Sequence, residues 1–470
     1  MDSKIRLIAP VLMACLLLLS VPARLFQSGG RVFYVAVSGS DANPGSLTSP
    51  WRTIRKAAKT LVAGDTVYIR KGTYRERVVP KNSGTDADHP IRYASYPGER
   101  ATIDGTGLAV PDDEGLFQVE GKKDLVISGL RIINAGYAGI YVHRSRRITV
   151  EKNRTYKTVS SGIGIWNSSD VVVDGNDVAK ACSGGMQESI SVAHTCRFEI
   201  KNNVVHDVDN SEKEGICVKD ASYNGKVYGN HVHHITAVGI YVDAWNHHTF
   251  DIEIFGNVVH DVTNSNGIQL SSETGGLLER VKVYNNIVYR NKYYGIAIAD
   301  AGLTTVRHPV RNVEIVNNTA WGNGIPWGGG ISCYNADARD IILRNNICCR
   351  NSAFQIAVAA SVPKQTVRVD HNLVFPFMEF EDEVRGTEWV EADPLLADPA
   401  KADFRLRPGS PALDKGSSLK APALDFAGNA RPQDGDGDGI SAIDIGAYER
   451  LRKQTVESQT RTGFRKDGLR

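Results

Sequence analysis

Asn203-Val204-Val205, Asn230-His231-Val232, Asn257-Val258-Val259 and Asn286-Ile287-Val288 are four copies of one pattern, an asparagine followed by a short, mainly apolar run. The pattern runs back through Asn176-Asp177-Val178 to Asn153, and forward through Asn318 and Asn346-Ile347-Cys348 to Asn372-Leu373-Val374. Successive asparagines stand 23, 27, 27, 27, 29, 32, 28 and 26 residues apart. A second marker recurs between them: Gly139-Ile140, Gly162-Ile163, Gly215-Ile216, Gly239-Ile240, Gly267-Ile268, Gly295-Ile296 and Gly330-Ile331. Self-similarity at this period marks a solenoid. Each Gly-Ile marker opens a short alternating strand, such as Ile216-Cys217-Val218-Lys219. No helical periodicity separates these strands, which excludes βαβ units and helical repeats. The fold class is therefore all-β, a right-handed parallel β-helix in which strands of successive coils pair about 4.8 Å apart. Inward residues stack in apolar columns. Each asparagine, placed at a bend where it tolerates left-handed backbone, bonds to the next one. The repeat thus reads as structure rather than chemistry.

An open solenoid must protect its ends. Trp51, Ile54, Ala57, Ala58 and Leu61 have helical spacing and Gly64-Asp65 terminates it, which predicts a helix over residues 50–63 closing a first coil that begins at Thr66-Val67-Tyr68-Ile69. The β-helix with this N-terminal cap is expected to span 31–376. Beyond Asn372 the composition shifts to Pro, Asp and Ala, giving a C-terminal segment over 377–450 and a disordered basic tail over 451–470. At the front, Lys4 and Arg6 precede an apolar run from Ile8 to Val21, with Val21-Pro22-Ala23 as a small-residue cleavage site. Residues 1–23 therefore read as a signal peptide, and the chain as secreted, periplasmic or held at the cell surface. A lipoprotein reading of Leu12-Met13-Ala14-Cys15 ranks below plain secretion, because leucines follow Cys15. The remaining chain carries no expected membrane span.

The 470 residues carry 55 Lys and Arg against 53 Asp and Glu, a net charge of +2, which gives no reason to expect nucleic acid or an anionic membrane as partner. Six cysteines follow the signal: Cys182, Cys196, Cys217, Cys333, Cys348 and Cys349. With no CxxC pair, zinc ligation by thiols is not expected. A Cys182–Cys196 disulfide is weighed against burial as small core residues, the favoured reading.

Several stretches resemble a known group. Phe33-Tyr34-Val35-Ala36, Gly39-Ser40-Asp41-Ala42-Asn43-Pro44-Gly45 and Pro50-Trp51-Arg52-Thr53-Ile54 resemble the N-terminal cap of pectate-lyase-like β-helix proteins. Gly64-Asp65-Thr66-Val67-Tyr68 and Gly72-Thr73-Tyr74-Arg75-Glu76 continue the likeness. Ser410-Pro411-Ala412-Leu413-Asp414 and Asp444-Ile445-Gly446-Ala447-Tyr448-Glu449 resemble the C-terminal segment of exported bacterial proteins called choice-of-anchor Q. The resemblance implies the fold and export. It also implies a polysaccharide or oligosaccharide partner, since the group includes lyases, glycoside hydrolases and uronate epimerases; it does not choose among these reactions.

Equal positions of successive coils become neighbours, so coils aligned on the Gly-Ile marker locate a candidate site. Three residues after the isoleucine come His143, Trp166, Ala193, Lys219, Asp243, Ser271, Ala299 and Tyr334. Alternation turns Ile216 and Val218 inward and Lys219, Tyr241, Asp243, Gln269 and Ser271 outward. Lys219 and Asp243 are expected side by side on an exposed face, with Glu273 near them. In a retaining glycosidase one carboxyl attacks the anomeric carbon and another protonates the leaving oxygen. Asp243, kept ionised by Lys219, suits the nucleophile, and Glu273, further from that cation, suits the acid. Tyr241, Trp245, His247 and Gln269 read as substrate-binding. Gly239-Ile240-Tyr241-Val242-Asp243-Ala244-Trp245 is similar in part to the nucleophile segment of β-xylosidases on this fold, which pair an Asp at a strand end with a Glu from the next coil.

The rival enzyme is a calcium-dependent lyase or uronate epimerase, with Lys219 as base and Asp220, Asp243 and Glu214 as calcium ligands. A third reading has no catalysis: Lys219 and Asp243 form a surface ion pair on a carbohydrate-binding or structural protein. Two further clusters stand out. His206, His233 and His260 share a column that continues with Tyr289, Trp321, Cys349 and Phe375, which favours a packing ladder over a metal site. Asp434-Gly435-Asp436-Gly437-Asp438-Gly439 resembles a calcium loop without the final glutamate, and predicts a structural calcium on Asp434, Asp436, Asp438 and Asp444. A monomer is expected.

Overall fold

The computed structural model describes residues 30–209, 213–302 and 305–452. The expected signal peptide, and the tail beyond Arg452, lie outside them. The chain is a right-handed parallel β-helix with three long sheets, of 13, 12 and 10 strands, whose neighbours in each sheet come from successive coils. The first sheet runs from Val32–Val35 to Val367–Asp370, the second from Gly72–Tyr74 to Leu373–Phe375, and the third from Gly115–Glu120 to Phe354–Val358. Registers follow the sequence markers. In the third sheet Ile190, Ile216, Ile240, Ile268, Ile296 and Ile331 pair one on the next. All six are fully buried, so one apolar column fills that side of the interior.

The asparagine ladder forms without a gap. The Nδ2 of Asn153 donates to Oδ1 of Asn176 at 3.1 Å, and the chain of amides continues through Asn203, Asn230, Asn257, Asn286, Asn318 and Asn346 to Asn372 at 2.9–3.0 Å. Each Nδ2 also reaches a backbone carbonyl, as Asn257 does to Val227 at 2.9 Å. The expected backbone detail is corrected. The left-handed residue is the one before each ladder asparagine: Lys152, Gly175, Asn202, Gly229, Gly256, Asn285, Asn317, Asn345 and His371. The ladder residue is thereby free to turn its amide inward. A second, shorter ladder that the repeat did not reveal links Asn291, Asn323, Asn351 and Gln355 at 2.9–3.0 Å.

The front helix is shorter than expected, Ile54–Thr60. Thr53 caps it by accepting from the Lys56 N–H at 3.1 Å, and Leu61 is already extended. Ile54, Ala57, Ala58 and Leu61 are fully buried over the end of the core. The strand Val32–Val35 precedes this helix and pairs with Thr66–Ile69, so the first sheet starts one strand earlier than expected. At the other end, residues beyond 390 return along the outside of the second sheet. Phe404, Leu413, Ile445 and Ala447 bury themselves against Ile287, Tyr289, Ile347 and Leu373. Asn317 donates to the carbonyls of Asp444 and Gly446, and Asn345 to that of Ser417, which joins this segment to the coils. All six cysteines are free thiols, five of them buried, so the disulfide is not formed. Among the described residues no helix is long and apolar enough to cross a membrane.

Candidate functional site

The register places Lys219 beside Asp243 and Asp243 beside Ser271, as alignment on the markers predicts. The exposure differs. Asp243 is 2 % exposed and Tyr241 5 %, while Ser271 is fully buried and Gln269 8 % exposed. These side chains leave the sheet on its outer side and are roofed there. Cys217, Val238 and Tyr241 form a small apolar cluster of their own outside the main core. Alternation decides which side of a sheet a residue takes; loops decide whether that side meets solvent.

The charge pairing also differs. The Lys219 ammonium binds Glu188 at 2.7 Å and the Gln187 side-chain Oε1 at 3.1 Å, and lies 5.5 Å from the Trp166 ring centre. Burial works against this ammonium, yet Glu188 and its neighbours hold it above its ordinary value. Glu188 was missed from the sequence. It stands three residues before Ser191, whose hydroxyl donates to its other oxygen at 2.6 Å. Its loop position, two residues ahead of the strand Ile190–Ala193, was the available signal.

Asp243 therefore lacks the ion pair that was to keep it charged. Burial pushes its carboxyl up to about 7, and the nearby Glu273 carboxylate pushes the same way, against the opposing hydrogen bond from the Trp245 backbone N–H at 2.8 Å. A raised Asp243 carboxyl runs against the expectation that Lys219 keeps it ionised. Glu273 accepts a short hydrogen bond from the Tyr241 hydroxyl, whose proton is held firmly by burial and by both carboxyls. Glu214, at the entry to the strand Ile216–Lys219, is likewise pushed up, by burial and then by Glu188.

The four expected binding residues divide. Trp245, 46 % exposed, presents its indole at the rim. His247 directs Nδ1 to Asp220 Oδ1 at 2.6 Å. Tyr241 holds Glu273. Gln269 is mostly buried and engaged internally, accepting from Asn266 at 2.6 Å and donating to Ser271 at 3.1 Å. The lyase ligand set does not assemble either: Asp220 faces His194 and His247, while the Asp243 carboxyl takes the Trp245 N–H.

In the C-terminal loop, ligand atoms of Asp414, Asp434 and Asp436 lie within 4.8 Å of one another. Asp438 instead closes a turn onto the Ile440 N–H. Asp444 is buried and accepts from the N–H groups of Asp414 and Arg450, so it is not a fourth member of that cluster. Burial pushes Asp444 up to about 6. The histidine column forms the expected ladder: His206, His233, His260 and Tyr289 stack at ring separations of 5.3, 5.2 and 4.6 Å.

Residues 33–184 match the family described as Pel9A-like, right handed beta helix region, and residues 188–310 the one described as right handed beta helix region. The chain is 28% identical over 443 residues to the uncharacterized protein YwoF of Bacillus subtilis (strain 168), covering 82% of this chain and 93% of that one. It is 22% identical over 443 residues to pectate lyase L of Dickeya chrysanthemi, covering 89% and 91%. The solved structure of XylC in complex with xylose matches with a TM-score of 0.58 at 14% identity, covering 90% of this chain and 99% of that one.

Proposed function

We propose that this is an exported protein acting on a polysaccharide or oligosaccharide, and that it is a glycoside hydrolase whose proton donor is Asp243 and whose second carboxyl is Glu273. One observation carries the reading. Two neighbouring carboxyls on the outer side of the third sheet occupy unlike environments: Asp243 is buried and pushed up to about 7, while Glu273 is less buried and held by the Tyr241 hydroxyl. Carboxyl pairs whose environments separate their proton affinities divide the acid and base roles at neutral pH. Trp245 at the rim supplies an apolar ring face for a sugar. With Asp243 almost wholly covered, its proton reaches substrate only when the cover over the column yields.

The likeness to pectate lyase L supports a second reading, elimination from a uronate. Against Lys219 as its base stands the Glu188 pair, which keeps that ammonium charged. A panel of neutral and acidic polysaccharides separates the readings. New reducing ends without an unsaturated product support hydrolysis. Unsaturated uronate, seen by its ultraviolet absorbance, overturns it in favour of elimination, and no product from any glycan leaves a binding protein. On the cleaved glycan, Asp243→Asn and Glu273→Gln should each lower kcat/KM by about 10²-fold or more. Full activity in both variants removes this site.

A further inference from the structure

His194, Asp220 and His247 lie beside the column just described and take no part in it. We infer that they form a binding site for a divalent transition metal of the zinc type. His194 and Asp220 each follow the last residue of a third-sheet strand, Ile190–Ala193 and Ile216–Lys219. Both occupy the left-handed corner, at φ 49° and 45°, so they project from the same point of successive coils. Backbone bonds fix that corner: the His194 N–H donates to the Asp220 carbonyl at 2.8 Å, and the Asp220 N–H to the Asp243 carbonyl at 3.1 Å. His247 arrives from the loop after Asp243, held in a turn by its own N–H on the Ala244 carbonyl at 2.9 Å. One ligand atom from each of the three converges within 4.8 Å.

The His194–Asp220 spacing is that of a coordination edge, while His247 rests hydrogen-bonded to Asp220 and would move back from it to share an ion. Four ligands about 2.0–2.1 Å from a tetrahedral zinc lie roughly 3.3–3.4 Å from each other. His194 Nε2 stands 3.4 Å from Asp220 Oδ2, the length of such an edge and long for a charge-assisted hydrogen bond. The other ring nitrogen, Nδ1, is buried with no hydrogen-bond partner among the described residues. With Nδ1 turned away from any partner, Nε2 is the ring nitrogen that faces Asp220, and it is the one that would bind the ion. The second imidazole is nearer, with His247 Nδ1 at 2.6 Å from Asp220 Oδ1, and the two rings meet edge to face at 5.5 Å. Two imidazoles and one carboxylate suit a borderline metal rather than calcium, which takes six to eight oxygens. His247 is about half exposed, so the outer side of the ion remains open to water or to an oxygen of a bound molecule.

This site does not depend on the proposed hydrolysis. Tag-free full-length protein, stripped with chelator, is titrated with Zn²⁺ by calorimetry, with Ca²⁺ in parallel. One Zn²⁺ per chain is expected, with affinity falling at least tenfold in His194→Ala and in His247→Ala. The double variant His231→Gln/His260→Gln, in the separate histidine ladder, should bind as wild type does. Co²⁺ bound to the unmutated protein should show the strong visible bands of a tetrahedral site, a readout independent of any variant's folding. Absence of Zn²⁺ uptake, uptake that survives both single variants or vanishes in the ladder variant, preference for Ca²⁺, or a weak octahedral Co²⁺ spectrum would each overturn the assignment.

Discussion

The asparagine ladder and the Lys219–Asp243–Ser271 column each repeat once per coil and are both polar and buried, yet they differ in how well they are satisfied. In the ladder every amide before Asn372 donates to its successor and to a carbonyl; the Asn257 oxygen in turn accepts from both the N–H and the Nδ2 of Asn230. The acid column changes residue type at each coil, so no side chain finds its own kind above it. Lys219 turns to a loop carboxylate, and Asp243 is left with the backbone N–H groups of Trp245 and Glu273 and a proton affinity raised by burial. Periodic sequence supports a stable buried polar stack. Aperiodic residues on the same scaffold store the unequal environments that chemistry uses.

The contrast can be tested from its strongest side. Asn257→Ala removes the one oxygen that accepts both the N–H and the Nδ2 of Asn230, leaving Asn230 only the Ile200 carbonyl, and leaves the Val227 carbonyl and the Asn286 amide short of a donor. It should cost about 3–5 kcal/mol, read as a lower denaturant midpoint. A neutral change would mean that the ladder is decoration. Asp243→Asn should behave in the opposite way, losing activity while retaining stability. The Asp243 carboxyl is raised from 3.8 to about 7, so the folded state binds the extra proton in that interval. Its contribution to stability is whole below pH 4 and is lost as pH rises through about 7. Wild type should therefore lose more stability between pH 5 and pH 8 than Asp243→Asn does; equal losses would remove the raised carboxyl from the account.

His233, within the histidine ladder, gives the reverse sign. His233 is lowered from 6.5 to about 4, by burial and then by His231 and the stacked imidazoles, so its stability is present above pH 6.5 and lost as pH falls towards 4. Tyrosine already follows in this column at Tyr289, so His233→Tyr should stack and flatten the acid limb of the melting temperature. An unchanged limb would place acid sensitivity elsewhere. The smallest effect is expected at the exposed rim. Trp245→Ala should raise KM severalfold, about 1 kcal/mol, with no change in melting temperature.

Much of this was legible residue by residue. The intervals between Asn153 and Asn372 predict the coils, and the Gly-Ile markers predict the register that sets Lys219 beside Asp243. The Gly-Asn and Asn-Asn pairs, such as Gly229-Asn230 and Asn285-Asn286, also carry the left-handed corner, one place ahead of the ladder asparagine. Glu188 was not legible as the partner of Lys219, because it belongs to a loop outside the repeat. The same holds for the meeting of His194, Asp220 and His247, where two corners and a loop converge.

What the order of residues determined by itself is the solenoid, its register and the side of the sheet each side chain takes, because these follow from local periodicity repeated coil after coil. What only the folded molecule decided is exposure and charge state. The loops that roof the third sheet bury Asp243 and bring Glu188 to Lys219, and a proton's free energy depends on that three-dimensional surrounding rather than on spacing along the chain.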